Sequence, residues 1–142
     1  MPPVDAVKLR RMPLFGGLTD KQLARVARWS DEIDVSEGTH LLDEGRFPHE
    51  FLVVLEGEVE VQHDGEQLAV LGPGDILGEI AILEGLRRTA TVVATTPVNA
   101  AVMHERDFLE MCEELPSVAE HVRANVHERL RASHRDAGSH ER

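Results

Sequence analysis

Leu77-Gly78-Glu79-Ile80-Ala81-Ile82-Leu83, followed after a short loop by Arg87-Arg88-Thr89-Ala90-Thr91-Val92, is the segment on which the fold assignment turns. It sets one carboxylate, Glu79, and one guanidinium, Arg88, nine positions apart around a tight turn. Gly78 lets the backbone approach a ligand closely, and the amides of a helix starting after it, such as those of Ile80 and Ala81, can receive negative charge. Arg88 adds a permanently charged fork for the same oxygens. Glu79, when ionised, accepts a proton from a sugar hydroxyl held beside them. The arrangement suits a small ligand with an anionic phosphate and a sugar hydroxyl. Taken alone, Glu79 and Arg88 also read as a surface ion pair, which is common in a chain with 29% charged residues and contributes little. That reading leaves the glycine, the small residues and the strand pattern in register with them unexplained.

Outward from this segment the chain reads as short strands separated by glycine, proline and acidic turns. Candidates lie at 32–35, 39–43, 50–55, 58–63, 66–71, 89–94 and 98–103, a spacing that indicates an antiparallel roll. Glu56, Glu58 and Glu60 alternate with Leu55, Gly57, Val59 and Val61, which puts the acids in water and the others inside. Asp64-Gly65 is a hairpin signal, and Gly72-Pro73-Gly74-Asp75 is a turn. Before the roll, Thr19-Asp20-Lys21-Gln22 reads as a capping box opening a helix that ends near Trp29, with Leu14 and Phe15 packed on the roll. After His104, the residues Phe108, Leu109, Met111, Cys112 and Leu115 recur at helical spacing, and Pro116 starts a new helix. Val118, Val122, Val126 and Leu130 form a narrow apolar stripe along it. The stripe suits a lid over the mouth of the roll and equally a homodimer through the last helix. A single domain over 1–142 follows, with a helical part at about 4–30, the roll at about 31–103, helices at about 104–133 and a polar tail at 134–142.

The central segment resembles the phosphate-binding cassette of the cyclic-nucleotide-binding domain family, of the catabolite activator protein and bacterial cyclic-nucleotide-gated channel type. The family pattern reads F-G-E-[LI]-A-L, a short loop, then P-R-[AST]-A-[TS], and the spacing from Glu79 to Arg88 matches it without a gap. Gly45, Gly57 and Gly74 fall where the family has turn glycines, so the likeness runs from about Leu14 to about Glu128. It implies a mainly β fold: an antiparallel β-roll of jelly-roll type, with an N-terminal helix, a short cassette helix and two C-terminal helices. It also implies a regulatory module that binds cAMP. In relatives a hydroxyl after the phosphate arginine can contact guanine, so Thr89 keeps cGMP open. By the same resemblance, Arg88 holds the equatorial phosphate oxygen with the amides of Ile80 and Ala81 and the Thr89 hydroxyl. Glu79 and the Gly78 backbone hold the ribose 2′-hydroxyl, and Leu77, with Val59, Val61, Leu71 and Ile76, supplies apolar walls. Arg123, within S-V-A-E-H-V-R-A, looks like the lid-helix arginine that borders the purine. Its spacing equally allows a solvent-facing arginine near Glu120 or Glu128. Two positions depart from the pattern. Leu77 replaces a common aromatic, and Arg87 replaces a proline, which implies a looser loop and weaker binding.

Composition narrows the alternatives. A formal net charge of -11 argues against a general nucleic-acid binder, and no second helical pattern follows the last helix, so DNA binding by this polypeptide is not expected. One arginine suits a monoanionic cyclic diester. A triphosphate with magnesium calls for a loop ending in Gly-Lys-Ser/Thr, and none is present. Gly72, Gly74 and Gly78 miss the dinucleotide spacing, and no βαβ pattern surrounds them. No metal site is expected: only His63 of the eight histidines lies on a strand where a cupin-like site would be, and His121, His127 and His134 lie six and seven apart. With no nucleophile elbow the chain is not read as an enzyme. Cys112, the single cysteine, reads as a small buried hydrophobe. No run approaches the eighteen or so apolar residues that span a bilayer, and the start lacks a secretory pattern, so a cytoplasmic location with no membrane contact is expected. The competing function is a β-roll scaffold that works through protein contacts with no ligand or a different one.

Overall fold

The computed structural model describes residues 4–126. Helices α1 (Ala6–Arg10) and α2 (Asp20–Trp29), with a single 3-10 turn at Pro13–Phe15 between them, precede the strands. These are β1 (Asp31–Val35), β2 (His40–Leu42), β3 (Glu50–Glu56), β4 (Val59–His63), β5 (Glu66–Leu71) and β6 (Ile76–Leu77). Helix α3 (Glu79–Glu84) interrupts them, β7 (Thr91–Ala94) and β8 (Val98–His104) complete them, and α4 (Glu105–Glu114) follows. A last helix, α5, covers 116–126 of the described residues. The strands form two four-stranded antiparallel sheets, ordered β1-β8-β3-β6 and β2-β7-β4-β5. This is the expected roll with flanking helices.

Strand β3 shows how the layers are built. Phe51 to Leu55 is an unbroken apolar run, as expected of a strand covered on both faces, and all five are buried. Because side chains alternate, Phe51, Val53 and Leu55 point with Ala101 and Met103 of β8 into a helical layer that holds Leu23, Val26, Phe108 and Met111. Leu52 and Val54 point the other way, into the interior of the roll, where they meet Val59, Leu77, Val92 and Val102. The Phe51 and Phe108 rings, 4.3 Å apart between centroids, lock α4 to the first sheet.

The opening helix is capped as read. Thr19 Oγ1 accepts from the Gln22 amide, and Gln22 Oε1 accepts from the Thr19 amide. Leu14 and Phe15 are buried as expected. The additional helix α1 was not foreseen. Five residues are too few to show a helical period, and α1 is held by tertiary contacts instead. Asp5 caps it by accepting from the Val7 amide, and Leu9 is fully buried. Lys8 Nζ donates to Glu32 at 2.8 Å and to Asn99 at 3.2 Å. Asn99 Nδ2 in turn donates to Glu32 at 2.9 Å and Asp34 at 3.0 Å. These bonds to Lys8 and Asn99, with the Asp5 amide, pull the Glu32 carboxyl down to about 2.

Five details refine the sequence reading. Strand β6, only Ile76–Leu77, was hidden by its length. Strand β7 starts at Thr91 and not 89, because Arg88 pairs its backbone with the loop after β2. Ile76 belongs to the helical layer and not to the roll interior, and Leu109 is exposed. Finally, Val118, Val122 and Val126 are buried in the chain's own helical layer, in one cluster with Ile82 of the cassette helix. Leu130, His127, His134 and the tail lie outside the described residues.

Candidate functional site

Strand β6 pairs Leu77 with Leu52 and delivers the chain to Gly78, whose φ of +89° belongs to the left-handed region. A Cβ there would lie 2.6 Å from Arg88 Nη1 and 2.8 Å from the Glu50 carbonyl oxygen, so both conformation and space demand glycine. Helix α3 begins at Glu79 and ends at Glu84, where Gly85 forms a left-handed cap. The amides of Ile80 and Ala81 lie in its first turn.

Arg88 reaches this point from the far end of the cassette loop. Its amide donates to the Arg46 carbonyl at 2.7 Å, and its carbonyl accepts from Gly45 at 2.9 Å, which fixes where the side chain starts. The residue is only 7% exposed. Nη1 donates to the Gly78 carbonyl at 2.9 Å and Nη2 to the Glu50 carbonyl at 2.5 Å. Two neutral acceptors orient the guanidinium without cancelling its charge. Burial lowers the Arg88 pKa from its ordinary value, opposed by the carboxylates of Glu50, Glu79 and Glu105, and a guanidinium so placed stays a cation.

Glu79, at the first position of α3, is fully buried. Asn125 Nδ2 of α5 donates to its Oε1 at 2.9 Å, so the acidic residue of the cassette is tied directly to the last helix. The site thus joins three pieces: a glycine-led helix start, a buried cation beneath it, and a buried carboxylate held from the C-terminal side. In chemical terms it can receive an anionic oxygen beside a hydroxyl donor.

Of the residues singled out from sequence, Gly78, Glu79, Ile80, Ala81 and Arg88 come together here. Leu77 is buried in the interior of the roll, alongside Val59, with Val61 and Leu71 packed against the same cluster. Thr89 is exposed, with its carbonyl 3.1 Å from His63 Nδ1. Arg123 is exposed on α5. Cys112, expected to be buried, is only half-buried; partial burial pushes its thiol up, opposed by the nearby Arg123 charge. Among the described contacts, α5 reaches the cassette through Asn125 instead. The sequence reading missed Asn125. Its signal was available: a lone amide one position before Val126, on the side of the helix that the valine stripe turns inward. Arg87, which had no assigned role, lies 4.5 Å over the Phe47 ring and donates to the Gly45 carbonyl at 3.5 Å, so stacking stands where a rigid ring would otherwise brace the loop.

Comparison with known proteins agrees with this geometry. Residues 32–115 match the cyclic nucleotide-binding domain family. The chain is 33% identical over 122 residues to a cyclic nucleotide-gated potassium channel of Mesorhizobium japonicum, covering 86% of this chain and 34% of the channel. It is 28% identical over 128 residues to the cyclic AMP receptor protein of Thermus thermophilus, covering 87% of this chain and 59% of that protein. The crystal structure of the Thermus thermophilus catabolite activator protein superposes with a TM-score of 0.78 at 25% identity, over 91% of this chain and 63% of that one. The chain therefore spans only part of the relatives it matches. No described helix is long and apolar enough to cross a membrane. With the glycine-led cassette, its buried arginine and the roll all in place, the chain belongs to the cyclic nucleotide-binding domain family.

Proposed function

We propose that this chain is a cytoplasmic, non-catalytic sensor module that binds a 3′,5′-cyclic nucleotide, cAMP in preference to cGMP, and reports occupancy through α5. The observation that carries this reading is the Arg88 guanidinium, buried and pre-oriented under Gly78 beside the buried Glu79. Its remaining N–H groups, with the amides of Ile80 and Ala81 and the Thr89 hydroxyl, hold the equatorial phosphate oxygen. Glu79 and the Gly78 backbone hold the ribose 2′-hydroxyl, and Leu77, Val59, Val61 and Leu71 pack against the ligand from the roll.

The link from ligand to helix runs through Glu79. Its Oε1 now accepts from Asn125, so a ribose hydroxyl arriving at this carboxylate changes the contact that fastens α5. Binding then shifts an existing equilibrium of the helix, and Arg123 borders the base in the shifted state. The relatives, a cyclic nucleotide-gated potassium channel and a cyclic AMP receptor protein, support the ligand class. Side-by-side calorimetric titrations with cAMP and cGMP test the proposal. A micromolar response, stronger for cAMP, is expected. Silence toward both at millimolar concentration overturns it and leaves the protein-contact scaffold.

A further inference from the structure

Beside the cassette exit, the loop after β2, the end of β4 and the β4–β5 hairpin turn converge on one point. There one imidazole nitrogen of His63 and one oxygen each of Glu44 and Asp64 lie within 4.8 Å of one another. Glu44 Oε2 is 3.1 Å from His63 Nδ1, and Asp64 Oδ2 is 3.3 Å from Nε2. The backbone holds these groups in place. The Asp64 amide donates to Glu44 Oε1 at 3.0 Å, and the Glu44 amide donates to Thr91 Oγ1 at 3.1 Å. Asp64 itself sits at φ +50° in the Asp64-Gly65 turn, which sets where its Cβ leaves the backbone.

We infer that this cluster binds one divalent transition cation, with zinc as its representative, through the His63 imidazole and the Glu44 and Asp64 carboxylates. Zinc takes nitrogen and oxygen donors at about 2.0 to 2.2 Å, so tetrahedral donors stand about 3.4 Å apart. Glu44 Oε2 already stands close to that from Nδ1, and the Asp64 side chain, exposed and now on the Nε2 side, swings to the Nδ1 face to complete the set. Two carboxylates supply the two negative charges that a dication neutralises, and an imidazole selects a borderline metal over magnesium or calcium. The Thr89 carbonyl, 3.1 Å from Nδ1, or water fills the open position. The ion clips the hairpin to the loop after β2, one residue beyond Arg88. Sequence alone did not join these groups, because Glu44 and His63 come from segments that only the second sheet brings together.

The test uses the full chain without nucleotide, so it is independent of the proposed cyclic-nucleotide binding. Chelator-treated protein is titrated with zinc chloride in a calorimeter, alongside His63→Gln and Glu44→Gln. The chain has eight histidines, so the readout is the difference between wild type and variants. One equivalent lost, or affinity weakened at least tenfold, in both variants is expected, together with a zinc-induced rise in melting temperature in wild type only. Asp64→Asn, which keeps a side chain tolerated at positive φ, is expected to weaken the same equivalent and serves as the check if either other variant is misfolded. Equal stoichiometry and affinity in wild type and the folded variants, or no heat from wild type at millimolar zinc, overturns the inference.

Discussion

Arg88 is buried as a cation at a position where neighbouring carbonyls fix its orientation and leave its charge available. Truncating such a partner removes the charge that an arriving phosphate needs once desolvated. Arg88→Ala is therefore expected to weaken cAMP binding by about 2 to 5 kcal/mol in a calorimetric titration. Arg88→Lys should recover little, because a point charge cannot bridge the Gly78 and Glu50 carbonyls together as the planar fork does. A lysine variant binding like wild type would show that the fork geometry is irrelevant. Gly78→Ala attacks the same geometry from the other side. It forces a Cβ to 2.6 Å from Nη1 and adds about 1 to 2 kcal/mol of left-handed strain. Both melting temperature and nucleotide affinity should fall, and affinity unchanged in a folded variant would mean that Arg88 moves without consequence. Gly78, Glu79 and Arg88 were readable in the sequence because their relation is local, set by a helix turn and a short loop. Asn125 and the Phe47–Arg87 stack were not, since each depends on how distant segments cross.

At the scale of elements, the strands were readable because pleat alternation and turn residues are written along the chain, while α1 and β6 are too short to carry a period. Helix α5 is joined to the cassette by a bond to a buried carboxylate worth about 1.5 to 3 kcal/mol, so Asn125→Ala should raise amide exchange in 116–126 by about ten- to a hundredfold, more than in the strands. Unchanged exchange there would show that the valines alone hold α5. Helix α1 depends on the depressed Glu32 carboxyl. A carboxyl lowered from 4.5 to about 2 in the folded state contributes stability that is fully present above 4.5 and lost as pH falls toward 2. Wild type should thus exceed Glu32→Gln in stability at neutral pH, and the gap should close between those two values in paired chemical denaturation curves. A gap that stays constant with pH would remove the ionised Glu32 from the docking of α1.

At the scale of the whole molecule, a formal net charge of -11 meets a ligand that is itself an anion. Long-range repulsion slows the encounter, and attraction is confined to the cassette, where Arg88 and the first-turn amides act at short range. Salt separates the two contributions. The screening length falls from about 30 Å at 0.01 M to about 8 Å at physiological ionic strength, which mutes distant carboxylates far more than a buried contact. Raising sodium chloride over that range should speed association of a fluorescent cAMP analogue in stopped flow, leave dissociation nearly constant, and hold or raise the affinity. A receptor steered by a basic face shows the opposite slope. If association slows steadily with salt here, the approach is governed by the local positive field of the cassette and not by the acidity of the whole chain.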